Sequence, residues 1–132
     1  MTPASPTIIL HHGTTLHRAQ RIIANGPDAY YAEPGSHWQT KDPPGFSAAR
    51  TDRPRVLGTP EEYARFKAEN VPNEGGPVIL ELDVPLNLLA ALEANPDAKN
   101  AMDSGDTRFE PSLGLAELLA AWPTITKRVR PI

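Results

Sequence analysis

The run Leu10-His11-His12-Gly13-Thr14-Thr15 brings together residue types suited to handling a nucleotide. The β-branched and apolar stretch from Thr7 to His11 reads as a short strand ending at Gly13, so the histidines stand at a strand end, where side chains face clefts. There His12 can hydrogen-bond a ribose hydroxyl and Gly13 can let a ligand approach the backbone. The amides of the helix expected next offer donors to an anion, and Thr14 or Thr15 can cap that helix. The competing account is a structural histidine beside ordinary turn chemistry. A metal site of His11, His12 and His17 is disfavoured, because adjacent strand residues point to opposite faces and no carboxylate has ligand spacing.

These residues need elements to hold them, and Pro 15 and Gly 9 punctuate the chain into segments. Leu16, Ala19, Ile22 and Ile23 repeat at helical spacing until Asn25-Gly26-Pro27 stops the helix. From Pro27 to Pro44 periodicity is lost, and Tyr30, Tyr31, His37 and Trp38 fall in a long loop. Gly45 to Arg50 reads as a short strand. Thr59 at N-cap, Pro60 behind it and Glu62 reaching back start a helix to about Asn70, with Tyr63 and Phe66 on its stripe. Val78 to Val84 alternates as a half-buried strand, and Pro85 opens a short apolar helix ended by Asn95-Pro96. Asp106 to Glu110 reads as a strand, and Ser112 caps a helix to Trp122 with Leu115, Leu118, Leu119 and Trp122 inward and Glu117 outward. Ile125 to Ile132 closes the chain as a strand.

Strands and helices alternate, yet the helices are short, the strands keep polar faces, and no Gly-x-Gly-x-x-Gly or Walker-type loop follows a strand. The pattern predicts an α+β domain with a split, mainly antiparallel sheet and short flanking helices. A chain of 132 residues supports one such domain, and its net charge of -3 argues against a broad nucleic-acid footprint despite Lys127, Arg128 and Arg130. Zero cysteine excludes a disulfide framework and a thiolate zinc site. No apolar stretch approaches the ~18 residues of a spanning helix, so a soluble, cytoplasmic protein without a membrane partner is expected. No Gly-x-Ser-x-Gly elbow suggests a serine hydrolase.

The segment from Ile9 to Gly26, with its apolar-His-His-Gly-Thr start and Ala-x-x-Ile-Ile-x-x-Gly helix, resembles the opening of ADP-ribosyltransferase domains of the diphtheria-toxin and poly(ADP-ribose) polymerase type. Gly45-Phe46-Ser47, Tyr63-Ala64, the Val78 to Val84 strand and Asp106-Thr107-Arg108-Phe109-Glu110-Pro111 are the further counterparts in order. The resemblance implies one ADP-ribosyltransferase-like domain over residues 1–132 that holds NAD as substrate in a cleft. It would cleave the nicotinamide–ribose bond and transfer ADP-ribose to an acceptor, a protein rather than nucleic acid. His12 would contact a ribose and the Gly13 backbone would grip the nicotinamide carboxamide. Ser47 occupies the place of the family's stacking tyrosine, leaving Phe46, Tyr30 or Tyr31 to pack on the ring. Arg50 is among the arginines that could take the diphosphate bidentately.

Breaking the nicotinamide–ribose bond develops oxocarbenium-like charge on the sugar, which a placed carboxylate stabilises. The resemblance favours Asp106, at the start of its strand, over Glu110, about 13 Å further along on the same face. Asp106 is one methylene shorter than the family's usual glutamate. A catalytically inactive nucleotide-binding or protein-interaction module on the same fold is the alternative.

Overall fold

A computed structural model describes residues 6–28, 45–52, 58–94, 106–112 and 114–132. The first strand does not stop at Gly13: β1 spans Thr7–Thr15 and delivers the chain directly into α1, Leu16–Asn25. There follow β2 (Phe46–Arg50), α2 (Pro60–Asn70), β3 (Pro77–Pro85), α3 (Leu86–Glu93), β4 (Asp106–Phe109), α4 (Leu115–Ala121), a 3₁₀ turn at Trp122–Thr124 and β5 (Thr126–Pro131). The expected α+β alternation is therefore present.

The strands form one five-stranded sheet in the order β4-β2-β1-β3-β5, and every pairing is antiparallel. The expected split survives only as a weak seam. Strand β1 pairs with β3 along its whole length from Thr7 to Thr15, but with β2 only at Leu10–Arg50 and His11–Ala49.

Alternation assigns the two faces of the sheet. Leu10, Phe46, Ala48, Leu80, Leu82, Val84 and Phe109 join the core on one face, and Leu115, Leu118 and Trp122 from the C-terminal helical turns pack into the same cluster. The other face carries His11, Gly13, Glu81 and Asp83 and is crossed by α2, which packs on β1 and β3. Helix α2 touches the sheet through Pro60, Ala64 and Lys67, spaced i, i+4, i+7, of which Ala64 and Lys67 are buried. Tyr63 and Phe66, expected on the inward stripe, are only half-buried.

Three helix starts differ instructively. Thr59 caps α2 as expected, accepting from the Glu62 amide at 3.2 Å. Thr15 stands at the N-cap of α1, but its hydroxyl goes to Glu74 Oε2 at 2.7 Å. Helix α4 begins after Gly114 rather than Ser112, with Gly114 at φ 82, a left-handed conformation that glycine adopts without a Cβ penalty.

Candidate functional site

Where β1 and β2 part, the sequence motif acquires its geometry. The Ile9 carbonyl accepts from the Thr51 amide at 3.1 Å, so it points toward β2. Backbone groups of alternate strand residues point the same way, which directs those of His11 and Gly13 toward β2 as well. Continuing the register of His11 with Ala49 would set Gly13 opposite Ser47, but the paired rungs end at His11. The Ser47 carbonyl instead accepts from His12 Nδ1 at 2.8 Å. A carbonyl only accepts, so Nδ1 carries the ring proton. The imidazole also lies against the Phe46 ring, with centroids 4.6 Å apart and planes at 35°. His12, Phe46 and Ser47 are thus brought together at the opening of the seam. Phe46 belongs to the hydrophobic core.

The Gly13 carbonyl accepts from Lys67 Nζ at 2.7 Å, and Lys67 is 7% exposed. A Cβ on Gly13 would stand 1.9 Å from the Pro60 carbonyl oxygen, so the missing side chain lets α2 lie on β1. Gly13 is therefore spent on close helix packing on one face, while its backbone groups point along the sheet to the seam.

The first two α1 amides, expected to receive an anion, are already engaged. Leu16 N donates to Gly76 O and His17 N to Glu74 O, each at 3.1 Å. The Glu74 carboxylate also takes the Thr15 hydroxyl and lies 2.6 Å from Arg18 Nε, with Arg18 3% exposed. This partly buried cluster fixes the β1–α1 junction to the turn before β3.

Of the other predicted residues, Thr14 is fully buried beside the core. Arg50 is buried and forks onto its neighbour Asp52, with Nε to Oδ1 at 3.0 Å and Nη2 to Oδ2 at 2.8 Å. Asp106 pairs with Ala49 and so shares the rung of His11, not the adjacent register of His12. Glu110 lies beyond β4, forms an isolated bridge with Gly114 and accepts from the Leu115 amide through its carbonyl at 3.2 Å. Tyr30 and Tyr31 lie outside the described residues.

His11 entered the sequence reading only as a disfavoured metal ligand. Its Nε2 meets Glu81 Oε2 at 3.1 Å, Glu81 Oε1 lies 3.5 Å from Arg130 Nε, and Arg130 Nη2 lies 3.5 Å from Glu61 Oε1. A cleft of about 250 Å³ opens between His11, the Ala49-Arg50-Thr51 end of β2 and Thr59, Pro60 and Glu61 at the start of α2. The signal for it was the alternation itself: if His12 faces the core side, His11 faces the other. Further along this face Arg128 holds Asp83 with two bonds of 2.7 and 3.1 Å, and this pairing keeps the Asp83 carboxyl below its ordinary range despite some desolvation. Lys127 lies over the Trp122 ring at 4.9 Å, so the three C-terminal basic residues are all engaged within the chain.

Compared with protein-family models, with curated proteins and with solved structures, the chain matches none. Among the described residues no helix is long and apolar enough to cross a membrane.

Proposed function

We propose that the chain binds NAD at the β1–β2 seam and acts as an ADP-ribosyltransferase-like enzyme, with nicotinamide as the leaving group and a protein acceptor favoured over nucleic acid. The observation that carries this reading is the interrupted ladder. Ser47 O turns to His12 just where Gly13 would have been its partner, which sets an oriented histidine beside backbone groups directed to the opening. His12 then orients a ribose and Gly13 engages the carboxamide. Asp106, on the strand across β2, is the candidate to stabilise the cationic sugar. The internal pairing of Arg128 and Arg130 weighs against a nucleic-acid acceptor, which needs uncommitted cations.

The test is thermal unfolding with added NAD. Ligand at 100 times its dissociation constant stabilises the folded state by about 2.7 kcal/mol, and a folded His12→Ala variant should lose that gain. Absence of any stabilisation at millimolar NAD would refute the reading.

A second reading, a non-catalytic NAD-binding module, is favoured by the Lys67 amine on the Gly13 carbonyl and by Ser47 in place of an aromatic ring. It predicts the same thermal shift with no nicotinamide released.

A further inference from the structure

We propose that the outer edge of β5 docks an extended acidic segment of a partner protein as an added strand of the sheet, an interaction independent of the NAD reading. Strand β5 ends the order β4-β2-β1-β3-β5, and among the described residues no strand pairs with its outer side. The direction of its backbone groups follows rung by rung from Ile9, whose carbonyl meets the Thr51 amide on the β2 side. The backbone groups of Asp83, the partner of Ile9, therefore turn away from β1 and toward β5, as do those of Glu81 and Ile79. Thr126, Arg128 and Arg130 pair with these three, which leaves Lys127 and Val129 with N–H and C=O directed outward. Pro131 also faces outward, where a proline sacrifices no bond to β3. The open edge runs over six residues, about 20 Å, and presents the unpaired donors and acceptors that strand addition uses.

Charge decides the occupant. The charged residues of β5 are Lys127, Arg128 and Arg130, with no acid among them. A second copy added antiparallel must pair outward residues with outward residues. Val129 on Val129 sets Arg128 against Arg130, Lys127 on Val129 sets Arg128 against Arg128, and Val129 on Pro131 sets Arg130 against Arg130. Each register thus places arginines directly opposite at non-hydrogen-bonded positions, where side chains are closest and like charges destabilise.

An acidic strand makes the same contacts attractive. The Arg128 and Arg130 side chains remain 42% and 46% exposed beside their internal partners, and Arg130 approaches Glu61 and Glu81 no closer than 3.5 Å. The segment that fits carries two carboxylates one residue apart, across from Arg130 and Arg128, with a β-branched residue between them. That middle residue lies opposite Val129, which packs on the hydrophobic core.

The experiment uses the whole chain with two synthetic peptides, Thr-Glu-Val-Glu-Thr as probe and Thr-Lys-Val-Lys-Thr as control, and follows amide hydrogen exchange by NMR. The acidic peptide should bind and slow exchange at the Lys127 and Val129 amides, while the lysine peptide should bind about 10-fold more weakly. Lys127→Pro deletes an outward donor and keeps the bonds to β3, so it should lower affinity for the acidic peptide about 10-fold. Arg130→Gln leaves the backbone edge intact and should narrow the preference for glutamate over lysine about 3-fold, a readout that stands even if Lys127→Pro fails to fold. No binding of the acidic peptide at millimolar concentration overturns the inference, as does equal binding of both peptides or binding that leaves the Lys127 and Val129 amides unprotected. A folded Lys127→Pro protein with unchanged affinity also overturns it. A concentration-dependent dimer in sedimentation that protects the same two amides overturns it in favour of a second copy.

Discussion

Replacing Gly13 by alanine tests the placement of α2 over β1, which rests on the missing Gly13 side chain and on the Lys67 bond to the Gly13 carbonyl. The added Cβ would lie 1.9 Å from Pro60 O, 2.8 Å from Pro60 C and 3.1 Å from Ala64 N. All three are backbone atoms, so no side chain can rotate away. Restoring ordinary contact near 3.4 Å requires the start of α2 to move by about 1.5 Å, a size of misfit that costs up to about 3 kcal/mol. Such a shift also strains the 2.7 Å bond from Lys67 to the Gly13 carbonyl, a charged hydrogen bond worth about 1.5 kcal/mol or more. Reduced unfolded-chain freedom returns about 0.5–1 kcal/mol to alanine. The net loss is about 3 kcal/mol, a fall in Tm on the order of 10 °C for a chain of this size. Urea unfolding followed by circular dichroism measures it. Gly76→Ala is the control, because a Cβ there meets nothing within 4 Å and only the positive φ of 87 is penalised, at about 1–2 kcal/mol. A Gly13→Ala protein no less stable than Gly76→Ala would refute the close packing of α2 on β1.

Two further outcomes follow from individual contacts. Arg128 holds the Asp83 carboxyl below its ordinary value of 3.8, so this pair stabilises the fold above that value and the contribution is lost as pH falls through the lowered one; Arg128→Met should return the Asp83 titration toward 3.8 by carboxyl NMR, and an unmoved titration would show that the pair does not form. Trp122→Phe removes the indole donor to Ile23 O at 3.2 Å and leaves a helix-end carbonyl without it, at an expected cost of about 1–3 kcal/mol in urea unfolding; a loss below about 0.5 kcal/mol would count against that bond.

Most of the elements were legible because each carries its own local signal. Thr59-Pro60 with Glu62 announces α2, the Val78 to Val84 alternation announces β3, and Asn25-Gly26-Pro27 ends α1 where Gly26 takes φ 81. Failures fall where a distant partner decides. Gly13 reads locally as the end of a strand, since nothing nearby in sequence shows that a helix some 50 residues later needs its missing Cβ. Ser112 reads as a cap, but the chain turns instead at Gly114, against which Leu92 of α3 packs.

The candidate site was only half legible for the same physical cause. A His-His-Gly-Thr run discloses nucleotide-type chemistry, and period-two alternation requires the two histidines to serve different faces. Which face receives the cleft depends on α2, and α2 conceals its orientation because one of its three contact residues is a lysine. Lysine is rarely fully buried without a partner, so the stripe of Tyr63 and Phe66 looks like the inward one. The partner is a backbone carbonyl, that of Gly13, and backbone acceptors leave no trace in a sequence. Lys67 thereby both docks α2 and occupies an acceptor at the opening of the seam. The residue that hid the helix orientation is thus also the one through which helix position and ligand access at Gly13 are coupled, since a ligand taking the Gly13 carbonyl must draw on the same oxygen that holds α2 to the sheet.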